Sequence, residues 1–238
     1  MYGWRLKIGT MIPSVNSVVE NEFSILAPEG VSVFCTRMAM KGKNKVEQLA
    51  SMADSLEEYA ISLSDVADIY AYACTSGSFL RGPEWDKEII DRIQKLTGKQ
   101  AVSASGALTQ ALNTLKVKKV ALATPYINEV NEKQVKYLNE MGFEVSAVKG
   151  LNITARGGAG LCNPDIAYKL GRDIVKDSNA EVLVISCTNF RTIEVIKMLE
   201  EDLGIPVITS NQALFWATLR KSGIQDRIPN TGRLLQEF

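Results

Sequence analysis

The stretch Ala67-Asp-Ile-Tyr-Ala-Tyr-Ala-Cys74-Thr75-Ser76 returns 113 residues later as Ala180-Glu-Val-Leu-Val-Ile-Ser-Cys187-Thr188-Asn189. Each copy is a short apolar run that ends in a cysteine followed by small polar residues. Upstream, Pro13-Ser14-Val-Asn16-Ser-Val-Val-Glu20 lies over Pro125-Tyr126-Ile-Asn128-Glu-Val-Asn-Glu132, at an offset of 112. Downstream, a weaker match sets Val102-Ser-Ala-Ser-Gly-Ala-Leu108 over Ile208-Thr-Ser-Asn-Gln-Ala-Leu214. Matches that keep their order and nearly their offset argue for a duplicated unit, because chance similarity does not hold a register. Cys74 and Cys187 are therefore expected to face each other across a pseudo-twofold axis.

Around these anchors, short runs rich in β-branched residues alternate with longer amphipathic stretches, the pattern of a parallel sheet covered by helices. The pattern predicts strands over 6–12, 31–36, 69–73, 100–103, 119–124, 144–148, 182–186 and 207–209, four in each half. Helices are predicted over 17–26, 45–64, 85–96, 105–115, 130–141, 164–178, 192–202 and 211–222, several closed by a glycine such as Gly98, Gly142 or Gly204. The fold class read from this is α/β, in two pseudosymmetric lobes. Each lobe is a four-stranded, mainly parallel sheet flanked by helices, with the active site in the cleft between them. The first lobe spans 1–115 and the second 116–211, with the tail 212–238 expected to pack back on the first.

Composition narrows the function. Lys+Arg and Asp+Glu balance at 27 each over 238 residues, so no overall charge draws the chain to nucleic acid or an anionic membrane. The first residues hold no apolar run of signal-peptide length, and no later run approaches a membrane span; the expectation is a cytoplasmic protein. The four cysteines, at 35, 74, 162 and 187, have neither zinc-site spacing nor the density of a secreted scaffold, and are expected as reduced thiols. There is no histidine, which removes Ser-His-Asp, Cys-His and His-metal chemistry. Two thiols remain as the acid/base or nucleophile/acid set. A redox disulfide is the competing use, opposed by the room a substrate needs between sulfurs on separate lobes.

In open α/β sheets ligands bind beyond the carboxyl ends of the strands, and Pro13-Ser14, Cys74-Thr75-Ser76-Gly77, Pro125-Tyr126 and Cys187-Thr188-Asn189 all fall there. Successive N–H groups and small hydroxyls in these loops suit an anion beside each thiol, and would also favour a thiolate and a developing enolate. A lone cysteine at a strand end is ordinarily a small core hydrophobe; the repeat singles out this pair, whereas Cys35 and Cys162 have no counterpart and read as structural. Asn16 and Asn128 would either bind a carboxylate or cap the helices they precede. Tyr126 stands where the first repeat has Ser14, as a phenol at the cleft or as a packed tyrosine. The glycine-rich Thr154-Ala-Arg156-Gly-Gly-Ala-Gly160 lacks the context of a phosphate loop and reads as a flap, with Arg156 as counter-charge for an acid. Met38 and Met40 read as core.

These residues resemble the aspartate/glutamate racemase superfamily, and more closely its branch of maleate cis-trans isomerases and arylmalonate decarboxylases. The resemblance runs over nearly the whole chain, through Pro13-Ser14-Val15-Asn16 with Glu20, Ala73-Cys74-Thr75-Ser76-Gly77-Ser78, Thr124-Pro125-Tyr126, Ser186-Cys187-Thr188-Asn189 and Thr231-Gly-Arg233-Leu234. It implies no cofactor, no metal, and a small carboxylate held by loop amides, Asn16 and Tyr126. Taken with the loop and flap readings above, the candidate substrate-binding set is Ser14, Asn16, Thr75, Ser76, Tyr126, Arg156, Thr188 and Asn189. The decarboxylases of that branch keep only the second cysteine, with glycine at the first position; the isomerases keep both. Having Cys74 as well as Cys187 thus implies an isomerase or racemase. By resemblance, one thiolate adds to the alkene of maleate and the other thiol supplies and removes a proton, the two roles being exchangeable. One departure is Arg156, near the place where the isomerases carry a substrate-binding asparagine. An amino-acid or hydantoin racemase, an arylmalonate decarboxylase-like enzyme and a non-catalytic carboxylate binder stay open as alternatives, and the sequence leaves room for a homo-oligomer.

Overall fold

The computed structural model describes residues 2–176 and 178–238. Its strands are β1 (Leu6–Pro13), β2 (Val31–Met38), β3 (Ile69–Tyr72), β4 (Ala101–Ser103), β5 (Lys119–Thr124), β6 (Glu144–Gly150), β7 (Val182–Ile185) and β8 (Val207–Thr209). They form two four-stranded sheets in the orders β2-β1-β3-β4 and β6-β5-β7-β8. Every pairing is parallel, with registers such as Ile8↔Ile69 and Tyr70↔Ala101 in one sheet, Val120↔Val182 and Leu183↔Val207 in the other. The second order is the first with each strand moved on by four, which is the duplication in three dimensions.

The helices are α1 (Val19–Leu26), α2 (Lys45–Ser51), α3 (Leu56–Ile61), α4 (Thr75–Phe79), α5 (Pro83–Thr97), α6 (Ala104–Thr114), α7 (Asn128–Glu140), α8 (Pro164–Lys176), α9 (Ile196–Leu203), α10 (Ser210–Lys221) and α11 (Arg233–Glu237). Strand alternation sorts the side chains between three cores. Ile69 and Ala71 of β3 and Val182 and Val184 of β7 enter a shared inner core with Phe23, Leu108, Val130 and Leu214. Tyr70 and Tyr72 turn the other way, against Leu49, Met52, Leu56 and Ile89 of the helices outside the first sheet. Leu183 and Ile185 do the same against Leu170 and Leu199 outside the second. Both central strands are wholly buried, as a parallel sheet covered on two faces requires. α6 and α10 pack together, and each starts on a matching side-chain cap: Ser103 accepts from the Gly106 N–H, Thr209 from the Gln212 N–H.

All eight predicted strands are present, and the helices differ from their sequence ranges where tertiary contacts intervene. The stretch predicted as one helix over 45–64 is two, α2 and α3. At its break the Ser51 hydroxyl donates back to the Gln48 carbonyl (2.9 Å) and accepts the Lys41 N–H (2.9 Å), tying the preceding loop to the end of α2. The helix predicted from 192 begins only at Ile196, after a turn in which the Val195 N–H donates to the Thr192 carbonyl at 3.1 Å. The helix predicted over 164–178 ends at Lys176, and Asp177 lies outside the described residues. α4, just after Cys74, is a helical turn where a loop was expected; all five of its residues are buried. Gly98 and Gly204 do close α5 and α9, at φ 68° and 69°. Among the described residues no helix is long and apolar enough to cross a membrane.

Candidate active site

The loops after β1, β3, β5 and β7 meet at one cavity of about 280 Å³, at the small end of ligand sites. Cys74 and Cys187 both line it. Neither is in a disulfide. Between them runs a chain of polar groups. The Cys74 sulfur is 3.9 Å from the Ser76 hydroxyl; the Tyr126 phenol hydrogen-bonds the side chains of both Ser76 and Cys187. Behind Cys187 the Asn189 backbone N–H donates to the sulfur at 3.4 Å. Burial first, then the proximity of Cys187 and Cys74, hold the Tyr126 pKa well above the usual phenol range, so the phenol is a standing proton-bearing donor.

Four hydrogen bonds staple the cysteine loops across the pseudo-axis. Thr188 Oγ1 donates to the Ala73 carbonyl at 2.9 Å and accepts from Asn16 Nδ2 at 3.1 Å. Thr75 Oγ1 donates to Ser210 Oγ at 2.9 Å, and the same oxygen accepts the Cys187 N–H at 3.0 Å. The carbonyls of the two threonines are held alike: Ser105 Oγ donates to Thr75 O and Asn211 Nδ2 to Thr188 O, both at 3.1 Å. The thiols are thus fixed by backbone and hydroxyl contacts rather than by charges.

Beneath the Cys187 loop lies Glu22 of α1, which is buried. One oxygen accepts from the Thr192 and Ile193 amides at 2.7 and 3.1 Å, the other from Asn211 Nδ2 at 2.6 Å. Burial pushes its pKa up to about 7 despite those donors. Glu22 anchors the first lobe to the segment that follows Cys187.

The expected substrate-binding residues divide. Asn16, Thr75, Ser76, Tyr126, Thr188 and Asn189 line the cavity. Asn16 is a cap as well as a wall residue: its Oδ1 accepts the Val18 and Val19 amides at 2.9 and 3.1 Å. Asn189 bridges the lobes, its Oδ1 accepting the Ser17 N–H at 2.9 Å and its Nδ2 donating to Gly157 O at 3.3 Å. Ser14 is not among the residues lining the cavity, and its N–H donates to the Met38 carbonyl at 2.8 Å, continuing the β1–β2 ladder. Arg156 is not among those residues either. It is exposed, and its guanidinium reaches across to the Met40 carbonyl at 3.3 Å while Thr154, Ala155 and Gly157 form the wall beside it. Asn128 begins α7 without capping it by its side chain.

Sequence reasoning missed the far wall, where Val15, Met40, Leu49, Ile127, Val130 and Ile153 make an apolar side. Met40 is core and wall at once. It also missed Ser210 and Glu22. The repeat held a signal for Ser210, which stands where the first copy has Ala104: a hydroxyl opposite a methyl. The glycine-rich segment forms a turn and a 3-10 helix, Gly158–Leu161, against the other lobe; a Cβ at Gly160 would stand 2.6 Å from both Asn189 Oδ1 and Ser17 Oγ. Among the described residues no lysine or arginine lines the cavity, and no group of three or more His, Cys, Asp or Glu is placed to hold a metal ion. An anion there would be met by N–H and O–H dipoles.

Cys35 and Cys162 stay outside the cavity wall. Burial pushes the Cys35 thiol up to about 12, with Glu20 adding to it, which leaves it unreactive at neutral pH.

Known proteins resemble this chain over nearly its whole length. Maleate isomerase from Nocardia farcinica is 30% identical over 242 residues, covering 97% of this chain and 96% of its own. Maleate isomerase from Geobacillus stearothermophilus is 28% identical over 246 residues and covers 97% of each. Among solved structures, a cysteine-to-serine mutant of Nocardia farcinica maleate cis-trans isomerase with a covalently bound succinylcysteine intermediate superposes at a TM-score of 0.91. It is 26% identical and covers 98% of this chain and 99% of that one. A family model described as arylmalonate decarboxylase matches residues 8–235, both sheets and both cysteine loops included. On that match, the chain belongs to the arylmalonate decarboxylase family.

Proposed function

We propose that the protein is a two-thiol cis-trans isomerase of a small unsaturated dicarboxylate, converting maleate to fumarate. The observation that carries this reading is the pair of cysteines, one from each lobe, lining a single cavity and linked through Ser76 and Tyr126. A decarboxylation that only replaces a lost carboxylate by a proton needs one donor; two thiols suit a reaction that adds a nucleophile and a proton and then removes both.

In the proposed sequence the Cys74 thiolate adds to one alkene carbon of maleate, and the electron pair moves through the other carbon onto its carboxylate as an enolate. The Cys187 thiol protonates that carbon. The former double bond is now single and rotates. Cys187, as thiolate, takes the proton back, the electron pair re-forms the alkene, and Cys74 leaves as thiolate with fumarate released. Atoms and charge return to their starting state.

The carboxylates would be met by the N–H groups of the loops beginning at Cys74 and Cys187, by Asn16 Nδ2 and by the Tyr126 phenol. Enolate charge develops beside dipoles that need no reorganisation. The relatives named maleate isomerase, and the covalent succinylcysteine held by one of them, support the same route. The apolar wall favours a second reading, a carboxylic acid that bears an apolar group, as an arylmalonate does. Proton NMR of maleate and of phenylmalonate in deuterated buffer, with wild type, Cys74→Ala and Cys187→Ala, tests both. Fumarate formed by wild type and lost in both variants supports the isomerase. Undiminished isomerisation in either variant rejects the mechanism, and phenylacetate in place of fumarate selects the second reading.

A further inference from the structure

Tyr72 is the last residue of β3, fully buried, and two residues before Cys74 on the same face of the strand. Its ring fills the core outside the first sheet. Its hydroxyl, however, has no hydrogen-bond partner among the described residues. A phenylalanine would fill the same volume without burying an unsatisfied polar atom, so the oxygen calls for an explanation in what lies beside it. That neighbour is the Cys74 sulfur. The point where a Gly77 Cβ would stand is 3.0 Å from the Tyr72 oxygen and 3.0 Å from the Cys74 sulfur, with Met52 Cε at 3.2 Å. Both atoms thus border the same point beside a residue with no side chain. A methyl added at position 77 would therefore crowd both atoms at once.

We propose that Tyr72 is a positioning residue for Cys74, its hydroxyl donating to the sulfur whenever Cys74 is ionised and so setting how readily that thiolate forms. The inference rests on the reading of Cys74 as the reacting thiol. A thiol is a weak acceptor and a thiolate a strong one, which accounts for a hydroxyl left unpaired in the resting arrangement. Tyr72 stays a donor through the working range, since burial first, then Cys74 and Asp86, hold its pKa well above that of an ordinary phenol. The charged groups around it are Asp86 and Arg92 of α5, the latter paired with Glu57 of α3 at 2.8 Å. They are unaltered by a change at Tyr72 and cancel in a comparison with wild type.

The test is site-resolved alkylation by iodoacetamide from pH 5.5 to 10, read by peptide mass spectrometry, in wild type and Tyr72→Phe. The expected result is a protein that melts no lower than wild type, a Cys74 midpoint moved up by about one pH unit, and a Cys187 profile that does not move; below the midpoint Cys74 then reacts about tenfold more slowly. A folded Tyr72→Phe with an unchanged Cys74 midpoint overturns the proposal. If Tyr72→Phe does not fold, Gly77→Ala gives the answer: its methyl crowds both the sulfur and the hydroxyl and disturbs their approach, and an unshifted Cys74 midpoint there refutes the inference equally. Alkylation needs no substrate, so this outcome is independent of whether maleate is turned over.

Discussion

Replacing Glu22 by glutamine should flatten part of the protein's pH–stability curve, and the size of the effect follows from the carboxylate's surroundings. Glu22 is buried, and its pKa is raised from 4.5 to about 7 by burial, against the pull of the Thr192, Asn211 and Ile193 donors. A group whose folded pKa exceeds its unfolded one binds more protons in the native state. Its contribution is thus fully present below pH 4.5 and is lost as pH rises toward and through 7. At 1.36 kcal/mol per unit, wild type should lose about 3 kcal/mol from this group across that window. Glutamine keeps the shape and cannot titrate. Its oxygen still accepts the Thr192 and Ile193 amides, but its NH₂ meets Asn211 Nδ2, donor against donor, for a roughly constant penalty of about 1–2 kcal/mol. Urea midpoints at pH 5, 6, 7 and 8 for both proteins measure the difference directly. Asp86, pushed by burial up to about 6, titrates in both and cancels. The stability advantage of wild type should shrink by about 2–3 kcal/mol between pH 5 and 8. Parallel curves would refute the reasoning, for they would mean that Glu22 is ionised throughout and that its three donors outweigh burial.

Other substitutions read other parts of the site. Tyr126→Phe removes the hydroxyl that interacts with both Ser76 and Cys187, and kcat should fall roughly 10- to 100-fold with little change in melting temperature. Ser210→Ala leaves the Cys187 N–H and the Thr75 hydroxyl without their acceptor and should lower stability by about 1–3 kcal/mol in chemical denaturation. Arg156→Ala removes an exposed side chain bonded to the Met40 carbonyl, so the steady-state KM for maleate should stay within about twofold, a change under half a kcal/mol. Gly160→Ala pushes a methyl against Asn189 and Ser17 and should lower stability in chemical denaturation by about 1–3 kcal/mol, as is typical of overpacking.

The parts of this fold legible in the sequence are those written in local pattern. β3 and β7 announce themselves as apolar runs ending in Cys74 and Cys187, and the repeat register alone predicted that the two thiols share a cleft. What escaped depends on contacts between distant segments. Glu22 reads as one more polar residue on an amphipathic helix; only the folded chain brings it under Thr192 and Ile193. The apolar wall draws Leu49 from α2 and Ile153 from the far lobe, residues that no period connects. Arg156 was assigned by charge, and its direction is decided by a carbonyl more than a hundred positions away in the chain. Ser14 was assigned by its place at a strand end, where the backbone simply continues its pairing with β2.

The central claim is that Cys74 and Cys187 act on one substrate from two sides, and trapping the adduct tests it most directly. Cys187→Ser, incubated with maleate and examined by intact-mass and peptide mass spectrometry, should carry one added maleic acid on Cys74 and form no fumarate at a rate near wild type. Unmodified Cys74 together with undiminished fumarate production would contradict the account.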